Sequence, residues 1–142
     1  MAYNSQAQEI LETFSEVPDS SKLDLLLEFA DGLPDLPVRY QDHPELLERV
    51  EECQSPVFLF VEVDEKVHIY LTAPKEAPTT RGFAAILQSA LDNQVPSEVL
   101  AFDDAFVNEL GLTKLVSPLR IRGMNGMLHR IKRQVRQKLD AS

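Results

Sequence analysis

Val57-Phe58-Leu59-Phe60-Val61-Glu62-Val63-Asp64-Glu65-Lys66-Val67-His68-Ile69-Tyr70-Leu71-Thr72 is the stretch that decides the fold. β-Branched and aromatic residues dominate from Val57 to Val63 and again from Val67 to Thr72, and Asp64-Glu65-Lys66 has the length of a hairpin connection. The two runs are therefore predicted to pair antiparallel. Phe58, Phe60 and Glu62 alternate with Val57, Leu59, Val61 and Val63, so both faces of the first strand are largely apolar through Val61. Helices or loops are predicted to cover both sides. His68, Tyr70 and Thr72 share the more polar face of the second strand.

Upstream of the hairpin lies Arg49-Val50-Glu51-Glu52-Cys53-Gln54-Ser55-Pro56, which holds the single cysteine of the 142 residues. Charged residues precede Cys53, and an amide, a hydroxyl and a proline follow it. This reads as a loop whose thiol can be reached from outside, entered by a short strand over Arg49–Glu51 and a helical turn over Pro44–Glu48. Earlier still, Ile10, Leu11 and Phe14 stand at helical spacing within residues 5–15. After Pro18, Asp19 or Ser20 caps a second helix with Leu23, Leu26, Leu27 and Ala30 as its inner stripe and Gly32 as its stop. Leu33-Pro34-Asp35-Leu36-Pro37 cannot continue that helix, because two prolines remove donors and disfavour helix before themselves.

Downstream, Thr79 or Thr80 caps a helix carrying Phe83, Ile86, Leu87, Ala90 and Leu91 inward, and Val95-Pro96-Ser97 opens a short one through Leu100. Asp103 or Asp104 starts another, with Phe106, Val107 and Leu110 inside and Gly111 as its stop. From about Ile121 to Leu139 the apolar stripe is Met124, Met127 or Leu128, Ile131, Val135 and Leu139. Helices flanking a small antiparallel sheet make an α+β fold, and the length suits a single domain over residues 1–142.

Hydrophobic residues make up 44% of the chain, enough for a core, yet no apolar run is long enough to cross a membrane. No signal peptide is evident, and one cysteine forms no internal disulfide, so the expected location is cytoplasmic. The net charge of −9 is unevenly placed: residues 1–65 carry 16 Asp and Glu against 3 Lys and Arg, whereas Arg120, Arg122, Arg130, Lys132, Arg133, Arg136 and Lys138 face Asp140 alone near the end. The plain reading is a solvated basic helix beside an acidic body. Nucleic acid is an unfavoured partner, because the whole-protein charge repels phosphate and the basic run lacks interleaved aromatics.

Three stretches carry a family resemblance. Val50-Glu51-Glu52-Cys53-Gln54-Ser55 before an apolar strand resembles the cysteine loop of the SufE family, proteins that accept sulfur as a persulfide from a cysteine desulfurase. Ala77-Pro78-Thr79-Thr80-Arg81-Gly82-Phe83 is similar to the start of the helix after that family's sheet. Leu110-Gly111-Leu112, then Leu115-Val116-Ser117-Pro118-Leu119-Arg120 and Gly123-Met124, resemble the segment entering its last helix. The similarity spans roughly residues 5–139. The residue before the cysteine, commonly glycine in that family, is here Glu52, whose side chain limits the backbone. The resemblance implies the fold shared with IscU-type scaffold proteins. It also implies a SufS-type desulfurase as partner, with an iron–sulfur scaffold downstream, and Cys53 as persulfide acceptor. It further places Glu52, Gln54, Ser55, Thr80, Arg81, Gly82 and Arg120 as loop-supporting or partner-binding residues.

The residues themselves constrain the chemistry. Holding an iron–sulfur cluster takes several thiolates, so Cys53 excludes scaffold work within one chain. A persulfide carrier needs one thiolate, which takes a terminal sulfur by the geometry of thiol–disulfide exchange. Glu51 and Glu52 act to raise the thiol pKa, so activation is expected from the partner. His43, His68 and His129 stand at no spacing that implies a base for a cysteine hydrolase. Metal-ligand spacing is lacking, and Gly82, Gly111, Gly123 and Gly126 form no phosphate loop. No cofactor is expected on this chain; pyridoxal phosphate belongs to the desulfurase. The alternative is a non-catalytic module binding protein or RNA, in which Cys53 is incidental.

Overall fold

The computed structural model describes residues 3–141. Its sheet has three antiparallel strands in the order β1-β2-β3: Glu48–Arg49, Phe58–Val63 and Val67–Thr72. The hairpin register runs from Phe58 opposite Thr72 to Val63 opposite Val67, and Lys66 N–H donates to Asp64 Oδ1 at 2.8 Å within its turn. β1 is shorter and earlier than Arg49–Glu51, pairing only Glu48 with Leu59 and Arg49 with Phe58.

Among the described residues seven helices surround the sheet: α1 (Ser5–Glu16), α2 (Asp19–Asp31), α3 (Val38–Gln41), α4 (Pro78–Leu91), α5 (Pro96–Ala101), α6 (Phe106–Glu109) and α7 (Pro118–Asp140). One sheet face, with Leu59, Val61, Val67, Ile69 and Leu71, is fully buried in a single core cluster with residues such as Phe83, Leu87, Met127 and Ile131 of α4 and α7. The other face is half-buried. There Tyr40 of α3 lays its ring 5.0 Å from Phe60 and 5.5 Å from Tyr70, and Arg39 pairs with Glu62 at 2.9 Å. Cover on both sides is thus present, but the second layer is one short helix from the proline-rich connector.

Open strand edges invite pairing with other chains, and here side chains occupy them. On β2, Val61 N–H donates to Gln134 Oε1 at 2.9 Å and Val61 O accepts from Lys138 of the same helix, α7. On β3, Ile69 N–H donates to Asp92 Oδ1 at 2.7 Å and Ile69 O accepts from Gln88 at 2.9 Å. The C-terminal half of α7 is thereby tied to the sheet, which helps set where its N-terminal half meets the loop between β1 and β2.

Several local expectations are corrected. α2 has no side-chain cap from Asp19 or Ser20, and its buried residues are Leu26 and Ala30, with Leu23 and Leu27 exposed. The helix presents Leu25 and Phe29 inward instead. α4 begins at Pro78, whose fixed φ suits the first turn, with no threonine cap, and Thr80 is buried. α7 begins at Pro118 rather than Ile121 because Ser117 caps it, accepting from Arg120 N–H at 3.3 Å. At its far end Leu139 is exposed.

Candidate functional site

The ladder between β1 and β2 continues for one further bond, Val50 N–H to Val57 O at 2.9 Å, and so closes Glu51–Pro56 into a loop. Cys53 N–H donates back to Val50 O at 3.1 Å, turning the chain at the cysteine. The loop lies where the sequence predicts it, and its thiol is turned inward. Cys53 is a free cysteine at 7% exposure, folded against α7. The contact depends on two glycines one turn apart. A Cβ on Gly123 would stand 2.9 Å from Cys53 Sγ, and one on Gly126 would stand 2.7 Å from the Glu52 carboxyl carbon. Bare backbone at those two positions is what lets the loop lie this close.

A cleft of about 30 Å³ opens beside the thiol, lined by Cys53, Gln54, Ser55, Thr80, Leu119, Arg120 and Gly123. That is more than the room one water needs, so the cleft beside Cys53 can admit a small group. The cleft brings together five of the residues singled out from sequence: Cys53, Gln54 and Ser55 from the loop, Thr80 from α4 and Arg120 from α7. Arg120 is exposed and makes no ion pair among the described residues.

Arg81 and Gly82 are placed elsewhere. The Arg81 guanidinium donates to Ala73 O at 2.6 Å, Ala30 O at 3.1 Å and Leu33 O at 3.4 Å. A Cβ on Gly82 would stand 2.6 Å from Leu26 O. Both residues join α4 to α2. Glu52 lies beside the thiol but outside the cleft, its Oε1 2.9 Å from Arg130 Nε.

Arg130, missed from the sequence, sits at the centre of the charge around the loop. Its Nη1 is 2.6 Å from Glu48 Oε2, and Glu48 also pairs with Arg133 and accepts from Gln134 at 2.8 Å. The Arg130 hydrogen bond holds the Glu52 carboxyl below its ordinary range. Burial acts to raise Glu48, but Gln134, Arg130 and Arg133 outweigh it and keep that carboxyl low as well. For Cys53 burial dominates: it pushes the thiol up to about 11, Glu52 adds to the rise, and Arg130 and Arg49 oppose it. The resting side chain is therefore a neutral thiol, the weaker nucleophile. A sequence signal for Arg130 exists only in hindsight, since Gly123, Gly126 and Arg130 at i, i+3 and i+7 share one helix face.

None of the three histidines lines the cleft: His43 pairs with Glu45, His68 with Asp64, and His129 is exposed. Among the described residues no group of three or more His, Cys, Asp and Glu is placed to hold a metal ion, and no helix is long and apolar enough to cross a membrane. A depression of about 710 Å³ lies between α1, α2 and α4, and Cys53 is not among its lining residues.

A family model described as SufE, the Fe-S metabolism associated domain, matches residues 8–135. The chain belongs to the SufE family. A SufE-like protein of Mycobacterium tuberculosis is 50% identical over 131 residues, covering 91% of this chain and 90% of the relative. SufE-like protein 1, chloroplastic/mitochondrial, of Arabidopsis thaliana is 29% identical over 122 residues, 85% of this chain and 32% of that protein. The solution structure of a hypothetical protein from Thermus thermophilus superposes with a TM-score of 0.83 at 36% identity, covering 95% of this chain and 96% of the other. The α+β fold is thus the SufE fold, and the family membership places the protein in iron–sulfur metabolism, in a role connected with sulfur.

Proposed function

We propose that this SufE-family protein is the sulfur acceptor of a SufS-type cysteine desulfurase. The desulfurase presents an enzyme-bound persulfide, and the Cys53 thiolate attacks its terminal sulfur. The S–S bond to the desulfurase cysteine breaks, that cysteine leaves as a thiolate, and Cys53 becomes the persulfide, with no net redox change. The desulfurase, cleared of its sulfur, turns over faster, and the sulfur passes on toward a cluster scaffold. Pyridoxal phosphate stays with the desulfurase, and this chain needs no cofactor of its own.

The observation that carries the reading is the sole thiol of the chain, folded at the meeting point of the three family stretches beside a small cleft. A persulfide left in water is lost to oxidants and other thiols, so a buried resting position suits a carrier. The same burial leaves the thiol neutral, so the loop has to open toward the desulfurase for transfer, trading an apolar neighbourhood for one that favours the thiolate.

Cys53→Ser tests the reading. The variant is expected to keep the parent's circular dichroism and to lose all stimulation of sulfide release by a pyridoxal-phosphate-dependent cysteine desulfurase. Stimulation equal to the parent's would leave Cys53 incidental and favour the interaction module.

A further inference from the structure

Cys53 is not the only part of the loop that α7 holds. We propose that Arg130 is the latch of the cysteine loop, a positioning residue whose pairing with Glu52 keeps Cys53 on α7 and whose second partner, Glu48, lets that pairing be undone. The purpose of the latch rests on the sulfur-acceptor reading, but its physical basis does not. Glu52 and Cys53 are adjacent, with Cα atoms about 3.8 Å apart, so a movement of the loop backbone that carries Cys53 away from α7 also draws the Glu52 carboxylate from its seat. Gly126 provides the floor on which that carboxylate lies, and Arg130, one helical turn on, provides its cation.

The two carboxylates on Arg130 differ in what they belong to. Glu48 is in β1, paired opposite Leu59, and is also held by Arg133 and Gln134. It stays when the loop leaves. Glu52 is in the turn and goes out with the thiol. Removing one member of a buried pair is costly because it strands the other charge. Here neither charge is stranded: Arg130 keeps Glu48 at 2.6 Å, and Glu52 passes into water. The side chains of Arg130, Glu52 and Glu48 are each about a fifth to a quarter exposed, so the pairing is partly screened and its strength is moderate. Other charges near the loop are Arg49, Arg122 and Arg133. Arg122, also on α7, favours the Glu52 carboxylate by charge alone, and Arg49 favours the Cys53 thiolate; neither makes the hydrogen bond to Glu52 that Arg130 does.

The test uses the whole chain with no desulfurase present. Iodoacetamide alkylation of Cys53, the sole thiol, is followed by mass from pH 7 to pH 11 in the parent and in Arg130→Gln, Arg130→Lys, Glu52→Gln and the double variant Arg130→Gln/Glu52→Gln. Arg130→Gln and Glu52→Gln are each expected to raise the rate by roughly 3- to 30-fold, the lower part of the range that couplings between residues in contact span, and to move the pH midpoint downward as the thiol leaves its buried site. Arg130→Lys restores most of the parent's slow rate, and the double variant is no faster than the faster single one, because both changes break one interaction. Parental rates in both single variants, glutamine and lysine behaving alike at position 130, or multiplying effects in the double variant would each overturn the latch. Should Arg130→Gln fail to fold, Glu52→Gln alone decides, since it leaves the Arg130–Glu48 pair in place. Failure here with Cys53→Ser still unable to stimulate a desulfurase would remove the latch and keep the acceptor reading; the reverse pair of results would keep the latch and remove the acceptor.

Discussion

Two joints in this molecule are built from an arginine and a glycine, and they hold for different reasons. Where α4 meets α2, Gly82 brings the helix axes together and Arg81 donates to three backbone carbonyls, at Ala30, Leu33 and Ala73. Where α7 meets the cysteine loop, Gly123 and Gly126 allow the approach and Arg130 pairs with two side-chain carboxylates. Backbone carbonyls cannot turn away without taking their segment with them. A carboxylate on a short loop can leave for water at modest cost. The same pair of residue types therefore makes one joint that is fixed and one that is reversible, and the thiol is on the reversible one.

The contrast is most exposed to test at Arg81. Arg81→Ala leaves three carbonyls short of a donor at a part-buried site and is expected to cost about 2–4 kcal/mol, at the rate of about one to three per unsatisfied buried group with partial rescue by water. Urea denaturation measures it. Arg120→Glu, on the rim of the thiol cleft, is expected to change stability by no more than about 0.5 kcal/mol while weakening complex formation with the desulfurase. Charge reversal at Arg81 would lower binding too, but through the fold, so Arg120 is the position that reports on docking. Equal stability losses at the two arginines would erase the difference between the joints.

The two joints are unequally legible in the sequence, and so are the elements around them. The hairpin is legible because Val57–Thr72 alternates strongly around a three-residue polar connection. β1 falls a residue earlier than its sequence pattern suggests, because two pairs in a ladder leave almost no local trace and tertiary pairing sets their register. On α2 the abundance of leucine hides which face turns inward: helical spacing alone favours Leu23 and Leu27, whereas Leu25, Leu26 and Phe29 are the ones that pack. At the site, residues of the loop and of the Thr80 and Arg120 motifs are reached through family resemblance, and the cleft unites them. That resemblance does not separate Thr80 from its neighbours Arg81 and Gly82, although adjacent helical positions point about 100° apart. Arg130 and Glu48 are out of reach because an ion pair between residues 82 positions apart leaves no periodic trace in sequence.

The buried thiol also leaves a mark on the pH dependence of folding. With its folded value raised from 9.0 to about 11, Cys53 contributes stability that is complete below about pH 9, where both states hold the proton, and is lost as pH rises through about 11. Between about pH 8 and pH 10.5 the parent is expected to lose about 2 kcal/mol more than Cys53→Ser, because each tenfold change in proton affinity corresponds to about 1.4 kcal/mol. Paired urea titrations at those two pH values measure it. Parallel losses in the two proteins would mean that the thiol is not held in an apolar setting, and the reversible joint would then have nothing to protect.

A small change in stability is expected at Gly126, and it is the sharpest probe of the comparison. Gly82 and Gly126 are both helical glycines whose added Cβ would meet an atom under 3.0 Å away, but the atoms met are of different kinds. At Gly82 the nearest is the backbone oxygen of Leu26, which has no freedom to yield, so Gly82→Ala is expected to cost about 1–3 kcal/mol as overpacking does. At Gly126 the atoms are the carboxyl end of Glu52, which can swing aside. Alanine in a helix interior gains about 0.5–1 kcal/mol over glycine, and this offsets much of the lost Glu52–Arg130 pairing, so Gly126→Ala should unfold within about 1 kcal/mol of the parent. Its cysteine should nevertheless alkylate several-fold faster, because the loop has lost its floor. A Gly126→Ala protein with parental alkylation and parental stability would show that Glu52 finds another seat on α7. One destabilised as much as Gly82→Ala would show that the loop joint is as rigid as the helix joint and does not open.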